Sequence, residues 1–133
     1  MDHVSSENEG ISTALRLLIH YVGDIHQPLH STSRVNHDYP EGDMGGNLFP
    51  LPNELKELHA VWDSVLFEFS GYPVLPMNDS LWDDLTQTAK KLNGKWMQHI
   101  QPEEILIQNP VSWATESYSI AKQFVYKYAK ENV

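Results

Sequence analysis

No cysteine occurs among the 133 residues. That excludes disulfides and thiolate metal sites and leaves the compartment open. No apolar run approaches the ~20 residues that a membrane-spanning helix needs. The opening stretch MDHVSSENEG is polar and acidic, not the basic-then-apolar pattern of a secretory leader, so no localisation is assigned. Basic side chains are scarce: nine Lys and Arg stand against eighteen Asp and Glu, a net charge of −9. This balance argues against a basic groove that tracks a polyanion backbone. It does not exclude a phosphate-bearing substrate, because bound divalent cations reverse the local sign of a site. Internal repeats and low-complexity tracts are also missing.

What is present is enough apolar surface for a core, at 41% of residues with four Trp and six Tyr, in a length that suits one domain. Ser6 with Glu9 reads as a capping box. A helical stripe of Ala14, Leu15, Leu18, Val22 and Ile25 follows, and Pro28 ends it, which predicts a first helix over 6–27. From Ser31 to Pro52 the chain is rich in Ser, Asn, Asp, Gly and Pro, including GDMGGN and LFPLPN. It reads as a long loop with a short strand or hairpin near Asn47–Leu51, and long loops inside compact domains are often functional. Asn53 is placed to cap a second helix with Leu55, Leu58, Trp62, Val65 and Phe69 inward and Gly71 and Pro73 as its stop. Ser80 with Asp83 opens a third, with Trp82, Leu85, Ala89, Leu92 and Trp96 on one face and Pro102 as its bound. Asn109–Pro110 starts a fourth, running to about Lys130 with Trp113, Ala121, Phe124, Val125 and Tyr128 as anchors. The expected architecture is all-α: four helices in one domain over 1–133, with the long loop between helices 1 and 2.

Histidine is the informative residue. Five of the seven lie between His20 and His59. His20 and Asp24 are four apart on the first predicted helix, and His59 and Asp63 are four apart on the second. Residues at i and i+4 share a helix face, so each pair offers an imidazole beside a carboxylate. His30 follows just after the Pro28 break. Neutral imidazole and carboxylate are donors that zinc accepts, and facing helices can pool such pairs in one site. A lone H-x3-D is weak evidence, since most are solvated or hydrogen-bonded locally. Two such pairs plus His30 are more specific. His26, two positions from Asp24, points off that face and reads as a packing or outer-shell histidine. His3, His37 and His99 lie in polar stretches. Asp43 and Asn47 flank Gly45–Gly46. Either the glycines serve a turn with positive φ, or the backbone approaches a ligand and Asn47 donates to it. No serine or cysteine triad is apparent.

Taken in order, HYVGDIHQPLH, GDMGGN, LHAVWDS and WATESYSIA resemble the zinc-dependent single-strand nucleases: the plant and fungal type I nucleases and related 3′-nucleotidases, which share a superfamily with bacterial zinc phospholipases C. The resemblance spans Ile11 to Tyr126. It implies a helical enzyme with three zinc ions that hydrolyses phosphoesters of single-stranded DNA or RNA, or of 3′-nucleotides, by a metal-activated water. By position, His20 resembles a ligand of the first zinc. Asp24 resembles the catalytic carboxylate bridging the first and third. His30, His59 and Asp63 resemble the whole protein ligand set of the second. Asn47 resembles the substrate-side asparagine of the glycine loop, and His26 belongs to the motif without being a ligand.

The family's N-terminal Trp and its upstream His and Asp ligands have no counterpart here, and the chain stops before the family's last helical segment. The expectation is therefore a part of a longer nuclease domain, holding one complete zinc site, with weak or no turnover alone. Uncovered apolar helix faces would favour a homo-oligomer. The family is usually secreted and often disulfide-bonded, a property that transfers poorly to a chain without Cys. Two alternatives stay open: a zinc phospholipase C, against which Asp63 in place of Glu argues, and a non-catalytic helical module without bound metal.

Overall fold

The computed structural model of the chain describes residues 2–52, 55–65 and 75–127, with side chains from residue 7 onward. Among these the fold is all-α, without a named strand. The chain divides into two compact units, Met1–Phe67 with Pro110–Val133, and Glu68–Asn109. None of the described helices is long and apolar enough to cross a membrane.

In the first unit, α1 spans Asp2–Ile25. It starts before the expected cap at Ser6, since no Pro or Gly precedes Gly10 to break it and the Ser6 position simply lies within the helix. Gly10 and Gly23 interrupt its propensity, each at about 1 kcal/mol relative to Ala. The expected apolar stripe forms but is not a core: Leu15 is 55% exposed, Leu18 60% and Val22 36%. The helix ends two residues earlier than expected. Pro28, which has no N–H to donate, opens a 3₁₀ turn, Pro28–Ser31, whose first free donor, Leu29 N–H, is capped by the Gln27 side chain.

The loop from Ser31 to Pro52 winds around one buried carboxylate. Asp43 is fully buried, and its Oδ1 accepts from Arg34 N at 2.9 Å, Gly46 N at 3.1 Å and the Tyr126 hydroxyl at 3.0 Å. Gly45 (φ 63°) and Gly46 (φ 84°) carry the turn that this carboxylate organises. The expected strand near Asn47–Leu51 is reduced to one isolated bridge, Pro50 with Glu57, because Pro50 and Pro52 cannot donate to a ladder.

That bridge also delays the second helix. Leu51 N donates to Lys56 O and Leu58 N to Phe49 O, both at 3.0 Å, and Lys56 takes φ 59°, so α2 runs only over Leu58–Asp63. Leu55 is outside it, and Val65, with φ 49°, is beyond its end and exposed. Asn53, Phe69, Gly71 and Pro73 lie outside the described residues. The core of this unit is Leu29, Phe49, Leu58, Ala121, Val125 and Tyr126, with Leu51 and Trp62 against it.

The second unit contains α3, Asp79–Trp96, whose cap is Asn78, accepting from Leu81 N at 2.9 Å, and not Ser80. It also contains a short fourth helix, α4, Pro102–Ile105, closed by Glu104 accepting from Gln101 N. The four expected helices are thus five among the described residues.

Back in the first unit, Pro110 opens α5, Pro110–Ile120, which continues into a π-turn over Ala121–Val125. The wider turn shifts the register. Ala121, Val125 and Tyr126 face the core, while Phe124, expected as an anchor, is 52% exposed. Tyr128 lies outside the described residues. Ser117, buried, donates its hydroxyl to Ile25 O at 2.7 Å, which ties α5 to the last turn of α1.

Candidate metal centre

Three elements of the first unit meet at one point: the end of α1, the 3₁₀ turn after Pro28, and α2. The i, i+4 spacing does what helical geometry requires. His20 Nε2 lies 3.1 Å from Asp24 Oδ2, and His59 Nε2 lies 3.4 Å from Asp63 Oδ2. The chain reversal at Pro28 then brings His30 between the two pairs. Its Nε2 is 3.1 Å from Asp63 Oδ1 and its Nδ1 is 3.8 Å from Asp24 Oδ2. The His30 and His59 rings lie 4.8 Å apart, centroid to centroid.

His30, His59 and Asp63 each offer one donor atom, and all three atoms fall within 4.8 Å of one another. Donors around a tetrahedral zinc at 2.0–2.2 Å are separated by roughly 3.3–3.6 Å, so the group needs only a small contraction to close on an ion. One of the two imidazoles has a backbone partner that suits ligation. His59 Nδ1 lies 2.8 Å from Gly45 O. As an N–H donor to that carbonyl, it leaves Nε2 with its lone pair toward Asp63, the outer-shell arrangement typical of metal-bound imidazole. The backbone N–H of His59 also donates to Gly46 O at 3.3 Å. The glycine turn therefore holds both ends of this residue.

Gly45 cannot be replaced without cost to that arrangement. A Cβ built there would lie 2.3 Å from Leu29 O. What the Gly45–Gly46 backbone approaches closely is protein, Leu29 and Leu58.

The electrostatics favour a cation. Asp24 and Asp63 bring two carboxylates to a cleft of about 600 Å³ lined by both, together with His26, Gln27, His30 and Trp62. Burial pushes the Asp63 carboxyl up, while hydrogen bonds from Gln27 and His30, and the attraction of the His59 and His30 rings when these are protonated, pull it down by more. Its net value falls below the ordinary 3.8, which keeps it ionised and able to ligate at neutral pH. Without a cation, the two carboxylates would repel any phosphate entering the cleft.

The other residues singled out in the sequence are placed as follows. His20 is the most solvent-exposed member and touches Asp24 but not the three-donor group. The His26 ring lies 5.1 Å from Trp113, with Nδ1 2.7 Å from Val22 O. Asn47 donates its amide to Met44 O at 2.8 Å and is not among the cleft-lining residues. His37 and His99 are exposed and outside the cluster, and the His3 side chain lies outside the described residues.

Sequence reasoning missed Gln27. Its Oε1 caps the 3₁₀ turn, and its Nε2 donates to Asp63 Oδ1 at 2.8 Å, joining the α1 end to α2. The only local signal is a polar residue just before Pro28.

The sequence profile of the S1/P1 Nuclease family matches residues 1–133. Among curated proteins, Endonuclease 3 of Arabidopsis thaliana is 32% identical over 125 residues, covering 90% of this chain and 40% of that protein. Endonuclease 1 of the same plant is 30% identical over 132 residues, covering 95% and 40%. Nuclease S1 of Aspergillus oryzae (strain ATCC 42149 / RIB 40) is 30% identical over 111 residues, covering 78% and 36%. The chain thus spans about two fifths of the length of the curated relatives it matches. No solved structure matches it.

Proposed function

The chain belongs to the S1/P1 nuclease family, and from that premise we propose that it is a zinc-dependent phosphoesterase centre. In this reading it acts on phosphodiester bonds of single-stranded DNA or RNA, or on the phosphomonoester of 3′-nucleotides. His30, His59 and Asp63 hold one zinc ion, and His20 and Asp24 supply protein ligands toward the companion positions. Zinc, when bound, supplies a Lewis acid that polarises a phosphate oxygen and lowers the pKa of water.

The chain's own residues do the rest. The Gly45 carbonyl orients His59 so that Nε2 is the ligating atom. Gln27 holds Asp63 Oδ1 from the side and fixes the carboxylate plane. Asp24 is the catalytic carboxylate. One oxygen faces both His20 and His30, so it serves both halves of the site. With one three-donor group among the described residues, the chain binds one zinc tightly and turns over slowly or not at all.

The observation that supports this reading above the others is His30. It comes from a different element than His59 and Asp63, yet its Nε2 sits 3.1 Å from Asp63. Calorimetric titration with zinc tests it. One tight equivalent should bind, and His30→Ala should remove it. Tight binding that survives His30→Ala would rule the assignment out. Assays on single-stranded DNA and on a 3′-nucleotide measure the turnover.

A further inference from the structure

Despite the net charge of −9, the first unit carries a groove of about 800 Å³ whose charged lining is entirely basic: Arg34, Lys122 and Lys127. Three of the chain's nine cations therefore converge on one concavity. Arg34 is in part committed elsewhere. Its guanidinium lies 4.7 Å over the Phe49 ring and 5.5 Å over Tyr126, and its Nε is 3.8 Å from Asp43 Oδ2 behind the groove. Lys122 and Lys127 are exposed and supply the unbalanced charge.

Aromatic faces alternate with these cations. Tyr118 is one helical turn before Lys122 and 46% exposed, and Phe124 is 52% exposed. The π-turn is the reason Phe124 faces outward here while its neighbours Val125 and Tyr126 pack inward. A large apolar ring that lies between two lysines in sequence and is exposed among the described residues is the second, independent observation.

The groove's other wall, Thr32 to Arg34, continues directly from the turn that carries His30. Four residues of chain span at most about 14 Å, or about four stacked nucleotides at ~3.4 Å each. A positive groove with interleaved aromatics at that range has the chemistry of single-strand recognition, phosphates on cations and bases on ring faces.

We propose that this groove is a strand-binding subsite, in which Lys122 and Lys127 take backbone phosphates of single-stranded nucleic acid and Tyr118 and Phe124 stack its bases. The proposal deepens the nuclease reading and rests on it for the identity of the ligand. It also qualifies the inference from overall charge: three of the nine basic residues line this one groove, and no acidic residue does.

The test is binding of a fluorescein-labelled oligothymidylate to the full chain by anisotropy, in chelator, so that no metal contributes and no hydrolysis occurs. Lys122→Gln with Lys127→Gln should weaken binding roughly tenfold at low salt and reduce the salt dependence by about 0.7 for each phosphate no longer neutralised. Lys90→Gln with Lys91→Gln, on α3, makes the same charge change outside the groove and should leave binding nearly unchanged. Phe124→Ser should weaken the oligothymidylate at least about fivefold but leave an abasic strand unaffected. Three results would overturn the proposal: no binding by the native chain, equal weakening by the two lysine pairs, or an unchanged salt slope in the groove variant. Zinc titration of each variant runs alongside. A chain that binds strand in the groove but takes up no zinc would sink the metal-centre reading and leave the subsite standing, and the reverse holds as well.

Discussion

Gly45→Ala is a one-carbon perturbation whose consequence can be followed from backbone to metal. Gly45 sits at φ 63°, where an L side chain costs about 1–2 kcal/mol. The added Cβ would lie 2.3 Å from Leu29 O and 3.2 Å from Thr32 O. Both neighbours are backbone, so no flexible side chain can yield, and the turn itself must move. That turn carries the carbonyl that orients His59, 2.8 Å from Nδ1. Removing such an outer-shell partner typically costs 10- to 100-fold in metal affinity. The variant should therefore be at least about 2 kcal/mol less stable and bind zinc about 10- to 100-fold more weakly. Denaturant unfolding and competition with a chelating dye measure the two quantities. Gly10→Ala is the control: no atom lies within 4 Å of its added Cβ and it is inside α1, so it should gain about 0.5–1 kcal/mol with zinc affinity unchanged. A Gly45→Ala protein that binds zinc as tightly as the native chain would refute the link from glycine turn to imidazole.

Three further outcomes are expected. Gln27→Leu should raise the Asp63 carboxyl value, since the Gln27 hydrogen bond is the largest influence lowering it; NMR titration of the metal-free chain reads the shift, and an unmoved value would remove Gln27 from the account. Tyr126 is raised above its ordinary 10.0 by burial and by the bond and charge of Asp43. The folded chain therefore keeps this proton after the unfolded chain has released it, and stability should fall as pH rises past about 10. Tyr126→Phe should be less stable at neutral pH by about 1–3 kcal/mol and should lack this alkaline fall in its denaturation midpoint; an equal fall in both proteins would contradict it. Finally, Ile11, Leu15, Leu18 and Val22 repeat at steps of four, three and four, the spacing of a coiled-coil seam, and are all exposed. The chain should pair with a second copy through α1, with a sedimentation coefficient that rises with concentration and stays monomeric in Leu15→Lys with Leu18→Lys; a native chain that remains monomeric at high concentration would refute it.

The parts of this molecule written in local pattern can be read without coordinates. The i, i+4 pairs His20/Asp24 and His59/Asp63 depend only on helical pitch, and the end of α1 near Pro28 only on a missing N–H. The start of α2 cannot be read this way. Asn53 is a good cap by residue type, but a bridge from Phe49 and Leu51 to residues 56–58 postpones the helix to Leu58, and that bridge is a tertiary outcome of the glycine turn. Asp43 is legible as a turn residue. Its three donors come from positions 34, 46 and 126, and no window of sequence joins them. Phe124, expected inward, is exposed and Tyr126 is buried where a π-turn widens the helix, which a 3.6-residue period does not anticipate. Gln27 is hidden for the same kind of reason, since its partner Asp63 is 36 residues away.

The most direct measurement of the central claim is zinc-edge X-ray absorption on the chain loaded with one equivalent. The shell should be of low coordination number and contain two imidazole nitrogens at about 2.0–2.1 Å and a carboxylate oxygen at about 2.0–2.2 Å, and the imidazole scattering should be lost in His30→Ala, which no longer holds the ion. An all-oxygen shell, or a spectrum that His30→Ala leaves unchanged, would contradict it.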